Sequence, residues 1–223
     1  MASQKLTYPI SRSASWIGGI ALLLIAVLAG AGYFGALAPL ITAGDATKTA
    51  ADIAESESQF RLGVLCMVLA AVLDVVVAAV LLAVLEPVNR MVATTAAWFR
   101  IAYSAVFLVA ITQLAIVPTL LGDPQSAMNA LESYNIIWHT GLILFAVHLL
   151  IVGYLGFRSG FMPKVLAVLI AVAGIGYLLD GIGTVLAADY TPTISTFTFV
   201  GEVALIGWLM WKGSRKRAVA KSV

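Results

Sequence analysis

Residues 135–160, NIIWHTGLILFAVHLLIVGYLGFRSG, form an apolar stretch long enough to cross a lipid bilayer. A helix that crosses about 30 Å of hydrocarbon needs about 20 apolar residues. The stretch nevertheless contains His139 and His148, the only two histidines of the chain. An apolar helix with two imidazoles predicts a membrane span whose polar groups face the interior of a helical bundle.

The composition of the whole chain extends this prediction. Of its 223 residues, 61% are hydrophobic and 11% are charged, whereas a soluble domain has about 25% charged residues. The chain is therefore predicted to be an all-α polytopic membrane protein, because an open sheet would leave backbone groups without hydrogen bonds in lipid. The single cysteine, Cys66, excludes an intrachain disulfide. No long basic run with interleaved aromatic residues is present, so nucleic acid is not an expected partner.

Six stretches are apolar enough to span a bilayer, and they predict one compact six-helix transmembrane domain over residues 14–212. Their expected bounds are 14–40, 58–85, 91–121, 133–157, 163–188 and 194–212. Asp123 and Pro124 have the pattern of an N-cap followed by Pro at the first helical position. This pattern predicts a short surface helix ahead of the fourth span.

A second short helix is predicted in the loop that follows the first span. Residues 44–57, GDATKTAADIAESE, form this loop. Ala50, Ile53 and Ala54 would form the apolar stripe of an amphipathic helix that lies on the membrane.

Lysine and arginine are unevenly distributed between the two sides of the predicted spans. The side with both termini and the turns at 86–90 and 158–164 has ten of them: Lys5, Arg12, Arg90, Arg158, Lys164, Lys212, Arg215, Lys216, Arg217 and Lys221. The opposite loops contain Lys48 alone. By the positive-inside rule, the N-terminal residues 1–13 and the basic tail 213–223 are both expected in the cytoplasm. The expected location is the bacterial cytoplasmic (inner) membrane.

Several charged or imidazole side chains remain inside the predicted spans: Arg61, Asp74, Arg100, His139, His148, Asp180 and Glu202. A charge at the bilayer centre costs about 3 kcal/mol, so each is expected to face the bundle interior and to find a partner there. A helical rise of about 1.5 Å per residue places these side chains at two depths.

The inner depth contains one expected ion pair. Asp74 and Arg100 lie on consecutive antiparallel spans at similar depth, so they are predicted to form a structural ion pair. His148, in its neutral form, is predicted to be their structural partner and to donate one hydrogen bond across helices.

The outer depth contains more polar groups than packing requires. His139, Asp180 and Glu202 are expected about 10–12 Å below the outer surface, and Arg61 begins the second span slightly above them. Two carboxylates with one imidazole are typical of a proton-binding or metal site. The sequence therefore predicts an integral membrane protein whose outer polar site binds a proton, an ion or a small polar ligand in a transport- or sensing-type role.

Two alternatives stay open. The first is an intramembrane enzyme that acts on a lipid or another hydrophobic substrate, with a divalent metal held by His139, Asp180 and Glu202. No H-E-x-x-H spacing anchors such a metal, so no catalytic residue or cofactor is assigned. The second is a structural subunit whose buried charges hold helices together. Apart from the lipid bilayer and the small ligand or ion, the sequence names no partner, and it leaves the oligomeric state open.

Four stretches resemble a known family: GDATKTAADIAESESQFRLGV (44–64), EPVNR (86–90), HLLIVGYLGFRSGFMPKVLAVL (148–169) and GYLLD (176–180). Together they are similar to an uncharacterised bacterial membrane family, domain-of-unknown-function family 4386, over about residues 14–212. The resemblance implies a compact six-helix protein. It implies no catalytic residues, because the family has no settled activity.

Overall fold

The computed structural model describes residues 12–187 and 190–214, which form eight α-helices and no strand. The helices are α1 (Arg12–Gly30), α2 (Ala46–Glu55), α3 (Glu57–Leu85), α4 (Arg90–Ile116), α5 (Pro124–Ser159), α6 (Lys164–Leu186), α7 (Ile194–Thr198) and α8 (Val200–Ser214). Six segments are long and apolar enough to cross a membrane: Arg12–Leu40, Glu57–Leu85, Arg90–Thr119, Pro124–Arg158, Lys164–Leu186 and Ile194–Ser214. The prediction of an all-α, multi-pass integral membrane protein is confirmed.

The spans pack in a closed ring. Helix α1 contacts α3, each following span contacts the next through α4, α5, α6 and α8, and α8 returns to α1. Because consecutive spans alternate in direction, Arg12, Arg90, Arg158, Lys164 and Lys212 share one end of the ring, which we call the basic end. The opposite end carries α2 and α7, and we call it the α2 end. The remaining predicted basic residues of this side lie outside the described residues: Lys5, Arg215, Lys216, Arg217 and Lys221.

The fourth span differs from its predicted bounds. Helix α5 runs without interruption over Pro124–Ser159, 36 residues, so the predicted surface helix and the fourth span are a single helix about 54 Å long. Asp123 caps its start through the Ser126 N–H and hydroxyl group, with Pro124 in the first turn, and Gly160 ends it in a left-handed conformation at φ 71°. The chain between the two predicted helices contains no Pro or Gly, so nothing stops the helix there.

Helix α2 packs against the ring of spans. It contacts α5 and α3. Ile53 and Ala50 are buried, one helical turn apart, whereas Ala54 is exposed, contrary to the predicted stripe. Asp45 caps the helix by accepting the Lys48 N–H at 2.8 Å. The short helix therefore covers part of the α2 end of the ring.

The first and last spans are not regular α-helices throughout. In the first, α1 is followed by a π-helical segment, Ala31–Leu37, and a 3-10 turn, Ala38–Leu40. The backbone of the π-helical segment approaches α3 so closely that a Cβ on Gly32 would lie 3.0 Å from the Gly63 carbonyl oxygen. The Gln59 Nε2 donates to the Ala36 carbonyl within this segment at 3.2 Å. The last span is divided at Phe199 into α7 and α8.

Candidate functional site

A buried ion pair and an imidazole join three neighbouring spans. The Arg100 Nη2 on α4 donates to the Asp74 carboxylate on α3, and its Nη1 lies 3.2 Å from the His148 Nε2 on α5. The His148 Nδ1 lies 2.9 Å from the Ala96 carbonyl oxygen. A carbonyl only accepts and a guanidinium only donates, so the imidazole donates from Nδ1 and accepts at Nε2. This tautomer is neutral, and the Asp74–Arg100 pair balances its own charge.

The three side chains lie near the middle of the bundle. Asp74 is eleven residues before the end of α3, Arg100 ten after the start of α4, and His148 eleven before the end of α5. These counts place all three about 15 Å from the basic end, about half the thickness of a bilayer core. All three are buried, and His148 has no exposed surface.

The Phe145 ring is the centre of the aromatic packing around this pair. It lies 5.2 Å from the Arg100 guanidinium carbon and 5.9 Å, centroid to centroid, from the His148 ring. The Tyr103 and Tyr177 rings are 4.9 Å and 5.4 Å away. A guanidinium on an aromatic face is favoured more strongly where water is excluded, so Phe145 supports the charge that Asp74 neutralises.

Two further hydrogen bonds fix the helices on the side of the pair that faces the α2 end. The Trp138 Nε1 on α5 donates to the Tyr103 hydroxyl on α4 at 3.1 Å. The Ser104 hydroxyl on α4 donates to the Ala71 carbonyl of α3 at 2.7 Å. Tyr103 is also within electrostatic range of both Asp74 and Glu202. These contacts tie the three spans together in addition to the ion pair.

Glu202 joins this region from α8. Its carboxyl group contacts the Tyr177 hydroxyl and is within electrostatic range of Arg100 and Asp74. The residue is only partly buried, but its Oε1 atom is fully enclosed and has no hydrogen-bond partner. We call Asp74, Arg100, His148, Tyr177 and Glu202 the polar core. It unites α3, α4, α5, α6 and α8.

Buried side-chain atoms without a hydrogen-bond partner are few within the described part of the chain: Arg100 Nε, Tyr134 Oη, Glu202 Oε1 and Trp208 Nε1. Two of them belong to the polar core. One is a donor, the Arg100 Nε–H, and the other is an acceptor, the Glu202 Oε1. Buried polar atoms are almost always paired, so this donor and acceptor distinguish the polar core from a region that only packs.

Asp180 satisfies its charge elsewhere. This fully buried carboxylate accepts the Tyr190 hydroxyl at 2.7 Å and the backbone N–H groups of Thr193, Ile194 and Ser195 at 3.2, 3.2 and 2.7 Å. All four donors follow it within fifteen residues. The carboxylate caps the start of α7 and does not face Glu202.

The remaining two candidates also have local partners. The Arg61 Nε donates to the Glu57 carboxylate one turn earlier at 2.6 Å, and both side chains are about half exposed. The His139 Nδ1 lies 2.7 Å from the Asn135 carbonyl oxygen of its own helix. The expectation that these groups would meet Asp180 and Glu202 in one site is not met. Only Glu202 reaches a shared polar region, and that region is the polar core.

The family of the chain follows from comparison with known proteins. The family described as "Domain of unknown function (DUF4386)" matches residues 17–213. The chain belongs to this family. A relative from Archaeoglobus fulgidus, described as an uncharacterized protein, is 32% identical over 151 residues, which are 68% of this chain and 83% of the relative. No solved structure matches the chain.

A metal site of the predicted kind is not assembled in this DUF4386 chain. In residues 12–187 and 190–214, no three or more His, Cys, Asp or Glu side chains are grouped so that they could hold a metal ion. His139, Asp180 and Glu202 each have different neighbours, as described above. These three residues therefore do not form a common ligand set in the described fold.

Sequence reasoning missed the aromatic residues around the polar core. Tyr134, Trp138 and Phe145 lie on the same face of α5 as His148, at spacings of four, seven and three residues. Such spacings place side chains on one helix face. The spacing of these aromatic residues could have predicted that one face of α5, with His148 on it, packs toward the interior of the bundle.

Proposed function

We propose that this DUF4386 protein binds a proton or a small polar ligand at the polar core, in a transport- or sensing-type role. The proposal rests on the position of the Glu202 carboxyl group, which lies near an ion pair whose two charges already balance each other. Asp74 and Arg100 compensate each other, and His148 is neutral in the tautomer described above. Glu202 therefore adds one carboxyl group for which the polar core has no further cation.

An unpaired carboxylate in a hydrocarbon-bound bundle is costly. Glu202 can remove this cost by holding a proton, or by facing a ligand that donates to its Oε1 atom. A ligand that reached the unpaired Arg100 Nε–H as well would need an acceptor in addition to its donor. The expected ligand class is therefore a small molecule with both a donor and an acceptor, for which water or a hydroxyl compound is the simplest example.

Binding at this position would change the balance within the polar core. Arg100 has N–H groups directed at Asp74 and at His148, and its charge also acts on Glu202. A proton leaving Glu202 would create a second carboxylate that competes for the same guanidinium. Since Asp74, Arg100 and Glu202 stand on three different helices, this competition couples protonation to the packing of α3, α4 and α8.

We also propose that the basic end faces the cytoplasm of the cell and that the protein lies in the cytoplasmic membrane. Five basic residues lie at that end, Arg12, Arg90, Arg158, Lys164 and Lys212, and two, Lys48 and Arg61, lie at the other. This distribution agrees with the positive-inside rule. A cysteine placed in the turn that follows α3 should accordingly react with an impermeant reagent only after the cell membrane is opened.

The proton-binding proposal is tested by infrared difference spectroscopy of the protein in lipid nanodiscs, recorded as pH is changed. The native protein should show a pH-dependent carboxylic-acid band that Glu202→Gln removes. Glu57→Gln is the matched control, because Glu57 is a partly exposed glutamate paired with Arg61, and this variant should keep the band. Exposed carboxylates such as Glu86 and Glu132 contribute equally to both spectra, so a difference spectrum that Glu202→Gln leaves unchanged would overturn the proposal.

The role in transport or sensing is tested with the same variants in sealed liposomes. A transport role predicts that the native protein releases an imposed pH gradient and that Glu202→Gln does not. A sensing role predicts no flux but a pH-dependent change in the fluorescence of Trp138, the indole bonded to Tyr103, which Glu202→Gln abolishes. If the native protein shows neither response, the polar core is structural.

A further inference from the structure

Asp180 is a buried charge that the polar core does not use. All its partners belong to the short stretch from Tyr190 to Ser195. Three of them are backbone N–H groups at the start of α7, and they are the kind of donors that a carboxylate caps well. The hydroxyl hydrogen bond also raises the pKa of Tyr190, because it favours the protonated phenol.

Helix α7 has few apolar anchors of its own. None of its five residues is buried, and Phe197 is 80% exposed. Its contact with the bundle is made chiefly with α6, where Thr198 lies directly against Gly176. Among its contacts with the rest of the protein, the Asp180 hydrogen bonds are therefore the main ones that hold the segment, and elements with few buried contacts open most readily.

The same segment leads directly into the polar core. Glu202 is four residues after Thr198, and its backbone N–H bonds to the Phe199 carbonyl at 2.9 Å. Gly201 meets the backbone of Leu169 on α6, where a side chain would not fit. The first turn of α8 thus continues from α7, so a displacement of α7 moves the residue that carries the unpaired carboxyl oxygen.

We propose that Asp180 and residues 190–198 form a latch at the α2 end, and that its opening gives water access to Glu202. The inference rests on the proposed role of Glu202 and specifies the route by which a proton or ligand reaches it. In the closed state Asp180 holds the start of α7 against α6. In the open state α7 and the first turn of α8 move together, and the Glu202 carboxyl group meets the aqueous phase at the α2 end.

The latch is tested by hydrogen–deuterium exchange of the protein in nanodiscs, read at the backbone amides of Thr193, Ile194 and Ser195. Asp180→Asn keeps one acceptor and loses the charge, so these amides should exchange about tenfold faster, the change expected when a hydrogen bond to a charged group is lost. Tyr190→Phe removes one of four donors and should give a smaller acceleration of about threefold.

Thr184→Ala is the matched control for these variants. The Thr184 hydroxyl donates to the Asp180 backbone carbonyl within α6 at 2.9 Å. Its loss keeps the Asp180 carboxylate and the four donors of that carboxylate, so the three amides should exchange at the native rate. Tyr190→Phe also keeps the test decisive if Asp180→Asn fails to fold, because it leaves the buried carboxylate and its three amide donors in place.

Access to Glu202 is measured separately, as the rate at which its infrared band follows a rapid pH jump. Asp180→Asn and Tyr190→Phe should both speed this response, and Thr184→Ala should not.

Unchanged amide exchange in the latch variants would overturn the latch. Faster exchange with an unchanged Glu202 rate would overturn its role in access while the proposed function stands. A native protein whose Glu202 band does not respond to pH would overturn the proposed function, whereas amide exchange would still report on the latch.

Discussion

Asp74 and Asp180 are both fully enclosed aspartates on membrane spans, and the protein satisfies them in opposite ways. Asp74 pairs with Arg100 on the neighbouring span, and Arg100 in turn contacts His148 on a third. Asp180 accepts only from groups that follow it within fifteen residues. The contacts of Asp74 and Arg100 join three spans across the bundle. Those of Asp180 hold only the connection between α6 and α7.

The two carboxylates stabilise different parts of the molecule. A charge pair between spans contributes only when α3, α4 and α5 are assembled, so its loss should act on the whole bundle. A carboxylate that caps its own connection contributes wherever that connection is folded, so its loss should act locally. Glu202 belongs to neither class, because its Oε1 atom has no partner in the described structure, and this is why we place function there.

The largest effect is expected at the between-span pair. Asp74→Leu leaves the Arg100 guanidinium buried without a counter-charge, which costs about 3–5 kcal/mol. The free energy of unfolding of the whole bundle should fall by this amount in denaturant titrations of the detergent-solubilised protein. Arg100→Leu should act in the same direction, since it leaves the Asp74 carboxylate unpaired.

The double variant Asp74→Leu with Arg100→Leu is the control for this comparison. Replacing a buried ion pair by apolar residues is often neutral or stabilising, so the double variant should recover most of the stability lost in either single one. Single variants as stable as the native protein would show that Asp74 is not satisfied chiefly by Arg100, and the contrast with Asp180 would fail.

The two histidines allow the same comparison, between a contact across spans and a contact within one helix, with smaller expected effects. His148→Phe retains an aromatic ring beside Phe145 but loses the contacts with Arg100 and the Ala96 carbonyl, so the bundle should lose about 1–2 kcal/mol. His139→Phe loses only a contact with the carbonyl of Asn135 in its own helix, and its effect should stay within about 0.5 kcal/mol. Thermal unfolding of the two variants, measured side by side, checks the difference. Equal losses would show that span-to-span contact is not what makes His148 different.

The sequence was sufficient for the features that depend on length and depth. Apolar stretches of about 20 residues predict spans whatever their partners are, and all six are found. Asp74 and Arg100 could be placed together because they lie on consecutive spans at similar depth, and the structure places them in contact. Because the rise per residue of a helix is fixed, the depth of a residue along its span can be predicted from the sequence.

The residues of the predicted outer site do not meet, because their contacts depend on how each helix is rotated about its axis and on how the chain turns back after α6. Asp180 was at a suitable depth, but its partners come from residues 190–195, a connection without periodic pattern. The depth of Glu202 was counted from the outer end of the predicted span 194–212. Counted from the basic end, Glu202 lies twelve residues from the end of α8, level with Asp74, Arg100 and His148. No motif in the sequence predicts either the capping or the break at Phe199.

The smallest expected effect concerns Asp123, an exposed counterpart of Asp180 that caps α5. The Ser126 hydroxyl and N–H donate to its carboxylate, the hydroxyl at 2.7 Å, and these bonds hold the pKa of Asp123 below its usual value. A lowered pKa in the folded state means that the cap stabilises α5 above the unfolded pKa and is lost as pH falls through the folded one. Amide exchange at Ser126 should therefore accelerate in strong acid, after correction for the intrinsic rate, while the bundle stays folded.

Asp123→Asn retains an N-cap that does not titrate, so its protection should not change over the same pH range. If native Ser126 were equally protected throughout, the Asp123 charge would add nothing to the cap of α5, and this exposed aspartate would differ from the buried Asp180 in that respect.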